Sequence, residues 1–515
     1  MTASTPTSTV DSSSRRWVSL AAACTAAGMV WLAFADFGVA IPTVADDLHA
    51  DLGTLQWANN AFSLVTGALV IAAGKFGDVF GRRRMLLLGI VLFGAFSVVG
   101  GLAHGMPLLI VGRGLMGVGA ALILPATLAL IPPQFTGRAL LTAFGVWQAV
   151  AWGGDAIGPA IGGVLTHLLG WQWLFWVNVP LAVVAVLAIR AFTPESSDPH
   201  ASSRVDWLGL VTIAAAVFAL LYALTDGPSV GWDAPVVVGM LVAAVVLAVA
   251  WWVIELHVSH PLVDLRLFRL RAYDGALVAN LTMNLAFAGL SYLLVLWLQN
   301  ARGYGPVQAG LLVMPVVLGI FVFIPVGGRM DARFGGRRPA VVGLVVMSVG
   351  ILGLGTTSTD SSLWVMGVAL VVLGVGLGLM STPVSSNTVG GVDEELAGTA
   401  AGVFKMSSMV GGSIGVALLA ALGRSLSAGE WTRAARDAGL SGDDVDRARA
   451  ALVNSSSFSD AIQSLPASER SAVTRSVVDA FSSGVGDAMV VTGILSALAA
   501  VVVVLVWPRP SRPTP

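Results

Sequence analysis

The sequence predicts an all-α membrane protein with fourteen transmembrane helices, and three observations lead to this fold class. Apolar residues make up 56% of the 515 residues and charged residues only 11%, whereas about a quarter of a soluble domain is charged. Apolar runs of about 20 residues, the length of one bilayer crossing, recur along the chain. Basic residues are concentrated in alternate connections between these runs, as expected for cytoplasmic loops. A water-soluble globular protein is therefore excluded.

The apolar runs define the individual spans in chain order. The first run follows Arg15-Arg16 and is too long for the core of a cleavable signal, so we interpret it as a transmembrane helix. The spans lie near residues 17–41, 54–74, 84–103, 107–131, 139–165, 172–193, 207–225, 234–256, 272–298, 308–328, 339–357, 363–386, 398–423 and 484–507.

These spans predict a domain organisation of two six-helix halves with two extra helices between them. The expected segments are a cytoplasmic tail, an N-terminal half, a two-helix linker, a C-terminal half and a second cytoplasmic tail, at 1–16, 17–193, 194–271, 272–507 and 508–515. Residues 424–483 are predicted to form a long extracytoplasmic loop before the last helix. Val473, Val477 and Phe481 favour an amphipathic helix from Ser468 to Phe481 within it, and a disordered loop is the alternative.

The distribution of the 28 basic residues predicts that both termini are cytoplasmic. Eighteen of them lie in the tails and inner connections, whereas the short outer connections contain only Arg302. We expect a multi-pass protein of the plasma membrane, and the alanine- and valine-rich composition suggests a bacterial source.

Charge and composition also exclude several kinds of partner. The net charge of -1 provides no surface for nucleic acid, and the single cysteine, Cys24, excludes disulfides and thiolate metal clusters. Glu255, His257 and His260 have a spacing that a metal site could use, but they lie at the end of a span in the linker, so we predict no metal.

A short arginine-rich connection between spans 2 and 3 is repeated later in the chain. It reads Gly74-Lys75-Phe76-Gly77-Asp78-Val79-Phe80-Gly81-Arg82-Arg83-Arg84, and a weaker copy, Gly328 to Arg338, lies between spans 10 and 11. Glycines allow close backbone approach, an aspartate can cap a helix N-terminus, and arginines stay at the anionic inner surface. We predict that a conformational latch is formed here by Gly74, Asp78, Gly81, Arg82 and Arg83.

This connection closely resembles the GxLaDrxGrkxxl signature of the major facilitator superfamily, and the fourteen spans resemble its drug:proton antiporter branch. Other segments resemble the same branch, namely Gln56-Trp57, Trp171-Gln172-Trp173-Leu174-Phe175, His260-Pro261-Leu262-Val263-Asp264-Leu265 and Tyr304-Gly305-Pro306. The resemblance covers roughly residues 17–423 and span 14. It implies a major facilitator fold and a transporter, not an enzyme, that uses the proton gradient and no cofactor.

Span 5 contains a glycine-rich element that is similar to the gxxxGPxxGG signature of the antiporters. Glycines on one helix face let two backbones pack closely, and proline removes a backbone donor, so the element predicts a tight seam or a hinge. By resemblance it favours export over import. Its residues are Gly154, Gly158, Pro159, Gly162 and Gly163.

Asp155 lies inside this element and departs from the signature. A carboxylate in the hydrocarbon region is costly without a partner or a water-lined cavity, so acids in spans are functional candidates. We predict that Asp155 takes part in proton coupling, and a permanently protonated structural carboxyl is the alternative.

Asp36 and Arg113 are predicted to lie at the same depth. Asp36 precedes Pro42 by six residues and Arg113 follows Pro107 by six residues, which places each about 9 Å inside the outer boundary. The two side chains can therefore meet, either as a proton-coupling pair or as a static buried ion pair.

The family resemblance adds a role for both residues. The segment Leu109 to Ala121 resembles the lxxxRxxqGxgaa signature, with Met116 in place of the usual glutamine, and this implies that Arg113 takes part in proton transfer. Ala33 stands where the family has an aspartate in span 1, so Asp36 is predicted to substitute for that acid.

Polar and aromatic residues within the spans are candidates for the lining of a substrate cavity. Lys405, about seven residues from the inner end of span 13, either snorkels to the inner surface or provides a cation for an anionic substrate. Asn280 and Asn284 share one helix face. The full set is Asn59, Trp147, Gln148, Trp152, Asn280, Asn284, Tyr292 and Lys405.

These observations predict a proton-coupled efflux antiporter that exports amphipathic drugs or toxic compounds by alternating access. Its expected partners are small amphipathic substrates, protons and the lipid bilayer, and we expect a monomer. Export of a specific lipid or secondary metabolite is the first alternative. A non-transporting membrane sensor or an embedded enzyme is a remote alternative, because the sequence shows neither an output domain nor clustered catalytic residues.

Overall fold

A computed structural model describes residues 12–50, 52–197, 206–258, 261–437 and 470–508 of the protein. Within these ranges the regular structure is helical and no strand occurs, so the predicted all-α fold class is confirmed. The α-helices are α1 (Ser12–Ala35), α2 (Phe37–Leu48), α3 (Leu52–Phe80), α4 (Arg82–Gly101), α5 (Met106–Ala129), α6 (Gly137–Leu169), α7 (Trp173–Trp176), α8 (Asn178–Phe192), α9 (Trp207–Val230), α10 (Pro235–His257), α11 (Arg271–Asn300), α12 (Pro306–Val313), α13 (Pro315–Phe334), α14 (Arg337–Gly355), α15 (Leu363–Val389), α16 (Ala397–Asp437) and α17 (Arg470–Val506).

Thirteen helical segments in the described ranges are long and apolar enough to cross a bilayer, and the chain is a multi-pass membrane protein. The predicted fifth span corresponds to α6, which is not among the thirteen although it has 33 residues. Gln148, Asp155 and several glycines make this helix less apolar than the others.

Two predicted spans are each divided into two helices. Span 1 is interrupted at Asp36, between α1 and α2, and Pro42 within α2 favours a bend nearby because it removes a helix hydrogen bond. Span 10 is interrupted at Met314, directly before Pro315, which lacks the N–H that would continue α12.

Helix covers both ends of the segment that was predicted to be an outer loop. Helix α16 continues to Asp437 and α17 begins at Arg470, while 438–469 lies outside the described residues. The predicted amphipathic helix overlaps the start of α17, and the side chains of Val473 and Val477 lie outside the described part as well.

The chain divides into two compact units. The first unit comprises Met1–Tyr222, Met240–Tyr273 and Ser385–Met406, and the second comprises Ala223–Gly239, Asp274–Val384 and Ser407–Pro515. The core of the first unit is formed by α1 to α8. In the second unit, α14 packs against α17, and the hydroxyl of Ser348 donates to the carbonyl of Gly493 at 2.6 Å. The organisation into two six-helix halves stays a prediction.

Candidate functional site

Asp36 lies at the junction of α1 and α2 in the first unit. Only 2% of its surface is exposed, and its backbone N–H donates to the carbonyl of Leu32 at 2.9 Å. The last carbonyl groups of a helix have no partner within the helix, so the break leaves acceptors available close to this carboxyl. A buried acid at a helix break is the centre of the candidate site.

Arg113, on α5, is also buried and donates to these acceptors. Its guanidinium donates to the carbonyl oxygens of Ala33 at 3.0 Å and Ala58 at 3.3 Å, and to Oδ1 of Asn59 at 2.8 Å. Ala33 belongs to the last turn of α1, so the helix break provides one of the three acceptors. Asn59, predicted to line a substrate cavity, is instead a partner of Arg113.

Two aromatic rings and one acid complete the surroundings of this guanidinium. Its central carbon lies 4.6 Å from the ring centroid of Phe37 and 4.8 Å from that of Phe62, distances typical of cation–π attraction. Asp36 acts on Arg113 electrostatically, but no ion pair joins the two in the described part of the chain. The predicted direct meeting is therefore wrong in detail, because neutral acceptors satisfy Arg113.

The glycines of α6 form a tight seam with α1 around Asp36. A Cβ atom added at Gly158 would lie 2.5 Å from the Cβ of Ala35, and one added at Gly162 would lie 2.6 Å from the carbonyl oxygen of Asp36. Neither position accepts a side chain without a shift of the backbone. The third glycine, Gly154, is close to Trp31, with 2.8 Å between the added Cβ and the Cβ of that tryptophan.

Two other residues of the predicted element do not form this seam. A Cβ added at Gly163 would lie 3.7 Å from Val39, an ordinary contact distance. Helix α6 runs through Pro159 without interruption. Of the two predictions for the element, the structure contains the tight seam.

Asp155, on the same helix, has different surroundings. Its side chain is half-buried and makes no hydrogen bond or ion pair with the described residues. A carboxyl without a fixed partner can gain or lose a proton without breaking a structural interaction.

Asp78 occupies the predicted position at a helix N-terminus, the first turn of α16. Its Oδ1 accepts from the N–H of Gly398 at 2.8 Å, and its Oδ2 accepts from the N–H and the hydroxyl of Thr399 at 2.7 and 2.8 Å. Gly74 permits this contact, because a Cβ there would lie 2.3 Å from the carbonyl oxygen of Gly398. Helix α3 and the start of α16 are thereby joined within the first unit.

Arg82 completes this network from the first turn of α4. It forms a buried ion pair with Asp78 at 2.9 Å and donates to the carbonyl of Glu394, just before α16. Gly81 separates α3 from α4 with φ of 102°, a value that favours glycine.

Arg83 and the partly exposed Glu195 hold the other side of this turn. The Glu195 carboxylate accepts from the N–H of Arg83 at 3.0 Å and forms an ion pair with Arg84 at 3.6 Å. The guanidinium of Arg83 donates to the carbonyl of Arg190 at 2.7 Å. The arginines of the predicted latch therefore fix the end of α8 as well as the start of α16.

Lys405 is buried and does not reach the inner surface, so the snorkelling alternative is wrong. It has 4% of its surface exposed. Its Nζ lies 4.3 Å from the ring centroid of Trp147, 5.1 Å from that of Trp31 and 4.9 Å from that of Phe404. All four residues belong to the first unit.

The remaining candidates for a substrate cavity differ in exposure. Gln148 is buried and Trp152 half-buried on α6. In the second unit, the amide of Asn280 donates to the hydroxyls of two serines of α16 at 2.7 and 2.9 Å, and Asn284 donates to Oδ1 of Asn280 at 3.2 Å. Tyr292 is 44% exposed. Asn280 thus joins α11 to α16, whereas Asn284 donates within α11.

Glu255 has a structural role at the end of α10. Its carboxylate accepts from the indole N–H of Trp251 at 2.9 Å and from the backbone N–H groups of Leu262 and Val263 at 3.0 and 3.3 Å. His260 lies outside the described residues. The carboxylate therefore caps the turn that follows the helix.

Several residues of the site have no local signal in the sequence. Trp31, Phe37 and Phe62 are part of apolar runs. Only the tertiary fold places Trp31 beside Lys405, and Phe37 and Phe62 beside Arg113. Glu195 could have been found by asking which group accepts from the N-terminus of α4.

Buried charged residues at helix breaks and helix ends, within a multi-pass helical protein, are typical of membrane transporters. The sequence model of the Major Facilitator Superfamily matches residues 18–416, so the chain belongs to this superfamily. Its members are transporters, not enzymes.

Curated relatives cover most of the chain. The Tetracenomycin C resistance and export protein of Streptomyces glaucescens is 31% identical over 491 residues, 95% of this chain and 91% of the relative. The Multidrug resistance protein Stp of Mycobacterium tuberculosis is 33% identical over 76% of this chain and 73% of its own. The Quinolone resistance protein NorB of Staphylococcus aureus is 31% identical over 76% and 85%.

Solved structures support the same fold. The proton:xylose symporter XylE aligns with a TM-score of 0.60 and 13% identity, over 97% of both chains. The human organic anion transporter MFSD10 aligns with a TM-score of 0.57 and 17% identity, over 79% of this chain and 93% of the other. At these identities the similarity shows the fold alone, and the predicted major facilitator fold is confirmed.

Proposed function

We propose that the protein exports amphipathic drugs or toxic compounds from the bacterial cytoplasm in exchange for protons. Three relatives that cover three quarters or more of the chain are named for resistance to such compounds, and one is also named for export. Both termini face the cytoplasm in this proposal, in accord with the distribution of arginine, and the transporter acts as a monomer.

The observation that carries the proton-coupling part is the environment of Asp36. This carboxyl is buried at a helix break, has no direct ion-pair partner among the described residues, and lies within electrostatic reach of Arg113. Loss or gain of one proton there changes the charge beside a fixed guanidinium in a medium of low dielectric, where charge interactions are strong. Asp155 provides a second carboxyl for the same step.

The proposed transport cycle alternates between two conformations, of which one favours a protonated carboxyl and the other a carboxylate. A proton enters from the outer side and neutralises Asp36 or Asp155. The protein then changes from the outward-open to the inward-open conformation, and the proton leaves to the cytoplasm. The carboxylate is then available to a substrate from the inside. Contacts of Asp78 with the first turn of α16 stabilise one of the two conformations, so the latch sets the rate of the exchange.

The proposal is tested by proton flux in liposomes. The purified full-length protein is reconstituted with a trapped pH dye, a proton gradient is imposed, and ethidium, a zwitterionic quinolone and an anionic lipid are added in turn. We expect ethidium to trigger proton movement in the wild type. Asp36→Asn should abolish it in folded protein, whereas Asp46→Asn, at an exposed acid of α2, should leave it unchanged.

Each result decides one part of the proposal. Flux that persists in Asp36→Asn rejects this residue as the coupling acid, and Asp155→Asn then tests the other carboxyl. Absence of flux with every compound in the wild type rejects proton-coupled drug export.

Export of one dedicated compound, a secondary metabolite, is the second candidate function. The relative that aligns over 95% of this chain is named for resistance to, and export of, a single compound, whereas the relatives named for multidrug and quinolone resistance align over 76%. A response to one chemical class alone in the flux assay supports this candidate.

A further inference from the structure

Lys405 lies in a cage of aromatic rings and has no negatively charged partner among the described residues. Its Nζ is within 5.1 Å of the ring centroids of Trp31, Trp147 and Phe404. No acid lies at ion-pair distance from it, and no acceptor of the described residues takes one of its hydrogen bonds. An ammonium group has three donors and no acceptor, so the cage leaves its hydrogen-bonding capacity unused.

A second donor at the same place is also unsatisfied. The indole nitrogen Nε1 of Trp31 is buried and has no hydrogen-bond acceptor in the described part of the chain. The Nζ of Lys405 lies over the face of this same indole. Buried donors almost always have a partner in folded proteins, and two adjacent donors without one indicate a place for an acceptor from outside the chain.

The walls of the cage are held in place by other contacts. Trp147 is fully buried, and its Nε1 donates to the hydroxyl of Thr127 at 3.1 Å. Trp31 is positioned by the seam, since Gly154 leaves no space for a side chain beside its Cβ. The two donors are therefore already in position before a ligand binds, and such preorganisation increases affinity.

A purely structural role for Lys405 does not account for these contacts. Cation–π attraction stabilises a desolvated ammonium by about 2 kcal/mol or somewhat more. The free energy of removing that ammonium from water is larger. A methionine of similar length would fill the same space without this cost. A ligand of the opposite charge would favour the ammonium form of Lys405 and accept its unused hydrogen bonds.

We propose that Lys405 and the indole N–H of Trp31 bind an acidic oxygen of those exported compounds that carry one, and that among anionic compounds the site selects aromatic carboxylates. The two donors would hold the carboxylate, and the indole faces beside them would contact the aromatic rings of the same ligand. This inference rests on the proposed export function, because it names the chemical class of the substrate at a site of the first unit.

The test compares two probes that share one aromatic ring system and carry charges of opposite sign. Pyrene-1-carboxylate and (pyren-1-yl)methylammonium have the same rings, and their binding to the full-length protein in nanodiscs is followed by fluorescence anisotropy, with empty nanodiscs as background. The variants are Lys405→Met, Lys405→Arg and Trp31→Phe. Lys75→Met is the matched control, because Lys75 is the other lysine of the chain.

Selective loss of carboxylate binding is the expected result. Lys405→Met should weaken the carboxylate probe about tenfold or more, as for a hydrogen bond to a charged group, and leave the ammonium probe within about twofold. Lys405→Arg should restore most of the affinity. Trp31→Phe, which keeps an aromatic ring but removes the donor, should cost about threefold for the carboxylate alone, and Lys75→Met should change neither probe.

Two outcomes would overturn the inference. Equal weakening of both probes in Lys405→Met would indicate a structural role, and unchanged carboxylate binding in Lys405→Met and Trp31→Phe would exclude the site. If Lys405→Met fails to fold, the selectivity of Trp31→Phe decides the question.

Proton flux separates this inference from the proposed function. If carboxylate binding depends on Lys405 but no compound drives proton flux, proton-coupled export fails and the binding site stands. If ethidium drives flux in the wild type and in Lys405→Met, but the wild-type protein does not bind the carboxylate probe, export stands and the carboxylate site fails.

Discussion

Replacing Asp78 by alanine should destabilise the protein by about 4 kcal/mol. The carboxylate accepts five hydrogen bonds, from Gly398, from two donors of Thr399 and from two nitrogens of Arg82. Loss of a helix cap costs about 1 kcal/mol. Removing one partner of a buried ion pair costs about 3–5 kcal/mol, and the lower end applies here because Arg82 keeps the carbonyl of Glu394.

Asp264 provides a matched control for this variant. Its side chain also caps a helical turn and pairs with an arginine, Arg266, but that arginine is 80% exposed. Exposed ion pairs contribute about 0–1 kcal/mol, so Asp264→Ala should cost only about 1–2 kcal/mol including the cap.

Unfolding in mixed detergent micelles, followed by circular dichroism, measures the difference between the two variants. The flux assay adds a functional readout, in which Asp78→Ala should change turnover while the apparent affinity for ethidium stays within about twofold, because Asp78 contacts no candidate ligand. If Asp78→Ala destabilises no more than Asp264→Ala, the buried network does not hold α3 to α16. An affinity loss with unchanged turnover would contradict the latch.

The other predictions concern the seam between α1 and α6, the buried Arg113 and the two acids Asp155 and Glu255. Gly158→Ala should destabilise the protein by about 1–3 kcal/mol through overpacking, whereas Gly163→Ala, which has space for a Cβ, should be neutral or stabilising by up to about 1 kcal/mol; equal unfolding midpoints would refute the seam. Arg113→Lys should lower the unfolding free energy by about 2 kcal/mol, because an ammonium cannot reproduce the fork that reaches three acceptors, and a stable variant in the same unfolding assay would contradict that geometry. Asp155→Asn should leave stability within about 0.5 kcal/mol, as for a site without partners, and flatten the pH dependence of ethidium-driven flux; an unchanged pH profile would assign it a structural role. Glu255→Ala should cost about 1–3 kcal/mol because two buried backbone N–H groups and the part-buried indole N–H of Trp251 lose their acceptor; an unchanged midpoint of thermal unfolding, followed by circular dichroism, would contradict this role.

Features that depend on residues close together in the sequence could be predicted from the sequence alone. Long apolar runs and the positions of arginine predicted a multi-pass helical protein because one bilayer crossing has a fixed length. The spacing of Gly74, Asp78 and Gly81 predicted a capped helix end, and Asp78 does cap one.

The parts that sequence reasoning missed depend on contacts between distant segments. The helical rise per residue predicted that Asp36 and Arg113 share a depth, but not that Ala33 and Asn59 would be the acceptors of Arg113. The cage around Lys405 brings together positions 31, 147 and 405, and no local pattern relates them. The break at Asp36 was missed because the apolar run is continuous across it.

The seam between α1 and α6 limits how the backbone around Asp36 can move. Gly162 lies against the backbone of Asp36, and the carbonyl of Ala33 accepts a hydrogen bond from Arg113, so the main chain around the acid is held from two sides. In the proposed exchange, protonation of Asp36 would therefore turn the carboxyl group or change its electrostatic interaction with Arg113, and would not slide α1 along α6. Under that proposal the acid stays in place, and the conformational response arises in segments that the seam does not hold.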